Sequence, residues 1–202
     1  MNKRWAHFWS YFLHPAIFPI LGVLVILKML PYFYSSRVVI LTIILVFLGT
    51  YILPLLISFL LLRLRFIQSL HMQEARHRRL PYLITALAFY FTAQSIQQLH
   101  IARESHLFLL GSALLIVLHV PLLFFFKPSA HLAGIGGFLG LLLALSLLYH
   151  LNLLLLIAAA IAAAGISASA RLRLEAHTPM ELWVGLLSGL ALVGSTVYFF
   201  TG

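Results

Sequence analysis

From Val38 to Leu62 the chain runs without one charged side chain, and comparable apolar runs recur along its 202 residues. A helix rises about 1.5 Å per residue, so roughly 20 apolar residues cross the hydrocarbon core of a bilayer. Such runs constrain the fold more than any other feature. In lipid each backbone amide needs a partner within the protein, and a helix supplies those partners from its own segment. Runs of this kind lie at roughly 16–34, 38–62, 81–100, 106–126, 131–150, 152–170 and 179–201. The first is the weakest, because Lys28 falls inside it and Pro15, Pro19 and Pro31 punctuate it. The expectation is an all-α, polytopic transmembrane helix bundle of six or seven spans, folded as a single domain over residues 1–202. The small-residue run "NLLLLIAAAIAAAGISASA" suits close helix packing in lipid.

Composition narrows the class further. Hydrophobic residues make up 63% and charged residues 8%, against about a quarter charged in soluble domains. Too little polar surface is left to cover a globule in water. The net charge is +9, and all four acids are glutamates: Glu74, Glu104, Glu175 and Glu181. Because the basic residues flank apolar spans, membrane lipids and a phosphorylated lipid substrate are the expected partners, and nucleic acid is not. The absence of cysteine excludes disulfides, thiolate nucleophiles and Cys-ligated metals. The opening "MNKRWAHFWSYFLHP" is basic, then aromatic. It lacks an apolar core with a small-residue cleavage site and is not read as a signal peptide.

If the spans alternate in direction, three polar segments share one membrane face. They are "EARHRRLPY" at 74–82, "KPSAH" at 127–131 and "ARLRLEAHTPME" at 170–181. Together they offer Arg76, Arg78, Arg79, Lys127, Ser129, His131, Arg171, Arg173, His177 and Glu181. Convergent cations with two histidines suit phosphoryl transfer. Arginine forks match phosphate oxygens, one imidazole attacks phosphorus and another protonates the leaving oxygen. "PSAH" and "HTPME" each open a helix, whose first amides favour an anion. His177 and Glu181 are one helical turn apart, so the carboxylate can hold the imidazole Nδ1–H.

Plainer roles compete. Ser129 also reads as a helix N-cap, and "TPME" as a capping box with Thr178 as cap and Glu181 reaching back. Capping and orienting are expected to need different Glu181 rotamers. Arg171 and Arg173 also read as anchors at lipid phosphates, and the 63–79 cluster as a topology signal. His100, His106, His119 and His150 read as interfacial or packing residues.

In order and spacing these segments resemble the type 2 phosphatidic acid phosphatase superfamily of integral membrane lipid phosphatases. That family carries KxxxxxxRP, PSGH and SRxxxxxHxxxD. Pro128-Ser129-Ala130-His131 resembles the second motif, with alanine for glycine. Arg171, His177 and Glu181 resemble the third, with glutamate for aspartate, and "RRLP" at 78–81 resembles the end of the first. The family's first lysine has no counterpart: Met72 stands seven residues before Arg79. The resemblance covers roughly residues 70–190 and implies a cofactor-free, metal-independent reaction through a phosphohistidine. It implies His177 as nucleophile, Glu181 as its orienting group and His131 as the acid and later base. It implies Ser129, Arg171 and Arg79 as holders of phosphate oxygens. Lys127 and Arg78 are counted with them from their position.

The alternative is a non-catalytic lipid-phosphate binding or transport protein on the same scaffold. A third reading is an unrelated helical protein, such as one holding a metal between His177 and Glu181. The expected location is a bacterial inner membrane. The excess of Lys and Arg on the motif-bearing side leans that side towards the cytoplasm, while substrate-binding charge leaves the face open. Headgroup and oligomeric state are not legible.

Overall fold

The computed structural model describes residues 1–30, 32–66 and 79–201. It is an all-helical transmembrane bundle, with no strand among the described residues. The helices are α1 (Lys3–Phe12), α2 (Ile17–Met29), α3 (Ser36–Phe47), α4 (Leu53–Arg63), α5 (Arg79–Gln98), α6 (Arg103–Leu122), α7 (Ala130–Tyr149), α8 (Leu154–Arg173) and α9 (Pro179–Thr201). A single π turn, Leu48–Ile52, joins α3 to α4, so that Ser36–Arg63 is one continuous span.

Among the described residues, five segments are long and apolar enough to cross a membrane: Ser36–Arg63, α6, α7, α8 and α9. The pair α1 and α2, bent by 47°, makes six if it counts as one span. Among the described residues the long apolar spans thus number five or six, against the six or seven expected. The run at 16–34 yields a helix of 13 residues, and α5 is diluted by Tyr82, Tyr90, Gln94, Ser95 and Gln97. It nonetheless packs lengthwise on α6.

Helix ends follow their side chains. Asn2 accepts the Trp5 amide at 2.9 Å and starts α1; Ser35 accepts the Val38 amide at 3.4 Å and starts α3. Among the described residues, four helices stop at a left-handed residue other than glycine, His150 at the end of α7 among them. Arg65, His100 and Glu175 take left-handed φ values of 63°, 53° and 51°. The amides that follow them, on Phe66, Ile101 and Ala176, bond back to the carbonyls of Leu61, Ile96 and Arg171. Each is a Schellman turn. The one at Glu175 reverses the chain quickly enough to bring the end of α8 beside the start of α9.

The centre of the bundle is a glycine-lined seam between α7 and α9. A Cβ at Gly185 would stand 2.6 Å from the Ser129 carbonyl oxygen, and one at Gly140 2.5 Å from that of Leu190. At Gly136 and Gly189 it would run into the carbonyl oxygens of Leu186 and Ala133. Missing side chains on both helices let the backbones meet, the device membrane proteins use where no hydrophobic gain drives association. The small-residue run of α8 buries Ala160, Ala164, Ser167 and Ala170 along one face, but its glycine joins no such seam: nothing lies within 4 Å of a Cβ at Gly165.

The two ends of the bundle differ. At one, Glu104 of α6 is buried and accepts Tyr32 Oη at 3.2 Å, and Tyr149 Oη from the end of α7. Burial and then the Glu104 carboxylate raise the Tyr32 hydroxyl above the ordinary phenol range. The other end gathers the starts of α7 and α9 with the end of α8. There the Arg79 guanidinium at the start of α5 lies 3.4 Å from the centroid of the Phe124 ring, just past α6.

Candidate functional site

The seam delivers the first turns of α7 and α9 side by side. The Ser129 amide donates to the Glu181 carbonyl at 3.0 Å, tying the two starts through backbone. Glu181 does more. Its Oε1 accepts the Lys127 amide at 3.0 Å, and its Oε2 accepts the Thr178 amide at 2.9 Å. Thr178 Oγ1 in turn accepts the Glu181 amide at 3.4 Å, which completes a capping box at α9. The same Oε2 stands 3.2 Å from His177 Nδ1. One rotamer thus caps the helix and faces the imidazole, so the two roles expected to exclude each other coexist. The reason is that His177 directly precedes the cap, so a single oxygen, Oε2, reaches both the Thr178 amide and the ring.

His177 is buried, with its Nδ1 also 3.1 Å from the Lys127 carbonyl. Both neighbours of Nδ1 are acceptors, so Nδ1 carries the proton and the lone pair lies on Nε2. That is the tautomer a nucleophilic imidazole needs.

His131, in the first turn of α7, is half-buried. Its Nε2 donates to the Ser10 carbonyl in α1 at 3.1 Å, which leaves Nδ1 as the nitrogen able to exchange a proton. It lies near enough to Arg171, His14 and His177 to feel the charge of each. Arg171 occupies the last turn of α8. The His14 ring, in the break between α1 and α2, is 5.8 Å from the His131 ring, edge to face. Residues from α1, α7, α8 and α9 therefore meet at one end of the bundle. His14 and Ser10 were not among the residues singled out from the sequence. Nothing local marks them except a His-Pro pair closing an aromatic, basic stretch.

The remaining candidates differ in their fit. Ser129 is buried, and its Oγ accepts the Leu132 amide at 3.5 Å, so it caps α7 as well as touching α9. Lys127 is tied to His177 and Glu181 through its backbone. The contact Arg79 makes is with Phe124. Arg78 and Arg76 lie outside the described residues. His106 is a packing residue bonded to the Ala93 carbonyl at 3.0 Å. His119 pairs with Ser188 at 2.9 Å and faces a cavity. Among the described residues no group of three His, Asp or Glu side chains is placed to hold a metal ion.

That cavity, about 290 Å³, begins at the first turns of α7 beside Ala130 and Gly134. It runs between α2, α4, α5 and α6, with a largely apolar lining that includes Phe18, Leu115 and Tyr82. An apolar cleft opening beside a polar cluster can hold an amphiphile by both of its ends.

The fold and site define a helical membrane protein with paired imidazoles and an arginine at one end of its bundle. No family model, curated protein or solved structure matches the chain.

Proposed function

We propose that this protein is a phosphatase that removes phosphate from a phosphorylated membrane lipid through a phosphohistidine. The motifs it shares with the type 2 phosphatidic acid phosphatase superfamily support this reading. The observation that carries it is the setting of His177, whose Nδ1 is held between the Lys127 carbonyl and Glu181. Nε2 attacks phosphorus as the bond to the lipid oxygen breaks. His131, protonated on both nitrogens, gives the Nδ1 proton to that oxygen, and the lipid alcohol leaves. Neutral His131 then takes a proton from water, the resulting hydroxide attacks phosphorus, and the P–N bond breaks to restore His177. Arg171 and the first amides of α7 oppose the charge on the phosphoryl oxygens, with Arg78, Arg79, Lys127 and Ser129 as further members of that set.

The test is phosphate release from phosphorylated lipids in detergent with chelator present. The His177→Ala variant should lose about a thousandfold or more in turnover. Equal activity in the two proteins removes His177 as nucleophile.

A specific observation favours a second reading, a lipid-phosphate binding or transport protein. Met72 stands where the family has its first lysine, and the Nε2 of His131 is already committed to Ser10. That reading predicts saturable binding of the lipid phosphate with no release and no phosphorylated enzyme.

A further inference from the structure

The residue that holds His131 belongs to a helix with no counterpart in the motif-bearing region. Viewed along its axis, α1 has three sides. Trp5, Phe8, Trp9 and Phe12 form one, packed ring against ring at 5.3 to 6.0 Å between centroids. Trp5, Phe8 and Phe12 are all exposed. Lys3, Arg4 and His7, also exposed, form the second. Ala6 and Ser10, one turn apart and buried, form the third, and α1 packs on α8. Among the described residues, nothing covers the aromatic side of this ten-residue helix. The helix is too short and too polar to cross a bilayer alone, and it turns 47° away from α2. It stands at the end of the bundle where the polar termini of α7, α8 and α9 gather, the end at which apolar spans of about 20 residues would leave the hydrocarbon core for the headgroup layer. Aromatic rings with a flanking basic side suit that layer, where rings lie among the upper acyl chains and Lys or Arg meets anionic headgroups.

We propose that α1 is an interfacial helix that seats its aromatic side in an anionic lipid surface and, through the Ser10 carbonyl, fixes the ring of His131. Ser10 is a positioning residue: it touches His131 and not the phosphate. Membrane seating and the setting of the site are thereby coupled. Lifting α1 from the lipid withdraws the acceptor that selects the Nε2–H tautomer of His131.

The test uses the full chain carrying Trp183→Phe, so that Trp5 and Trp9 are the reporters. The protein is reconstituted into vesicles of phosphatidylcholine alone or mixed with phosphatidylglycerol, each with shallow brominated acyl chains. Tryptophan quenching should be strong, should be greater with phosphatidylglycerol, and should fall to the neutral-lipid level in Lys3→Gln/Arg4→Gln. Absence of quenching in both lipids overturns the seating. Coupling is read from the ring N–H of ¹⁵N-labelled His131, assigned by its loss in His131→Asn. In Trp5→Ser/Phe8→Ser/Phe12→Ser, whose altered side chains are all exposed, that N–H should lose its protection from exchange. Ala6→Leu, which forces α1 off α8 with the aromatic side intact, should do the same. A His131 N–H unchanged in both variants overturns the coupling. No readout involves substrate, so the result stands apart from the phosphatase reading.

Discussion

Helices α7 and α8 are both 20 residues long and both rich in small residues, yet one is central and the other peripheral. In the most apolar 18-residue stretch of each, 67% of residues are buried in α7 and 22% in α8. The difference lies in which small residue occurs and where. In α7, Gly136 and Gly140 are one turn apart and meet the carbonyls of Leu186 and Leu190, also one turn apart. The glycines of α9 answer them. In α8 the buried face is Ala160, Ala164, Ser167 and Ala170, each of which keeps its Cβ, and its one glycine faces open space. Aligned absence of Cβ atoms on two facing helices, more than small size alone, brings backbones together. The site depends on that seam, because the seam sets Ser129, Lys127, His177 and Glu181 within hydrogen-bond reach. Helix α8 supplies Arg171 from outside the seam.

The largest break in this comparison is Gly189→Leu. A branched side chain driven into the Ala133 carbonyl should cost about 3 kcal/mol or more, seen as a lower unfolding temperature in detergent, with loss of phosphate binding. Glu181→Ala comes next. It leaves the Lys127 and Thr178 amides without their acceptor, for about 2 kcal/mol, and frees the His177 ring to turn, which should lower turnover about a hundredfold. Arg171→Ala sharpens the contrast from the other side. Affinity for the lipid phosphate should fall about tenfold or more, while the α7–α9 seam, which Arg171 does not build, keeps its packing. The smallest effect carries the cleanest sign. Gly165→Ala should stabilise α8 by about 0.5 to 1 kcal/mol, the ordinary gain for alanine over glycine in a helix. Gly136→Ala should destabilise α7 against Leu186. If both substitutions shift the unfolding temperature the same way, the seam is not what distinguishes the two helices.

Much of the bundle can be read from apolar run length, because lipid leaves a chain few other options. The cap at α9 can be read as well, since Thr178, Pro179 and Glu181 act on backbone within one turn. The endings are harder. Arg65, His100 and Glu175 close helices in a conformation usually marked by glycine, so the sequence carries no stop signal there. The first span was read as far as residue 34, whereas α2 ends at Met29. The glycines of α7 and α9 are plain in the sequence, but their pairing is tertiary, and the alanine-rich run of α8 is the more conspicuous pattern. Within the site, His177 and Glu181 are joined by local spacing and were legible. Ser10 and His14 reach His131 across more than a hundred residues of chain, and no local pattern encodes such a meeting. The part Lys127 plays, its amide on Glu181 and its carbonyl beside His177, is tertiary and has no local signal either.

The central claim is that His177 takes the phosphoryl group. It is tested most directly by mixing the purified protein, in detergent with chelator, with a lipid carrying a radiolabelled phosphate and quenching within one turnover into base, where phosphohistidine survives and phosphoserine esters of the active site would be distinguished by their acid stability. Peptide mapping should place the label on His177, with Glu181→Ala labelled more slowly and His177→Ala not at all. Label on another residue, or phosphate release with His177 never labelled, contradicts the account.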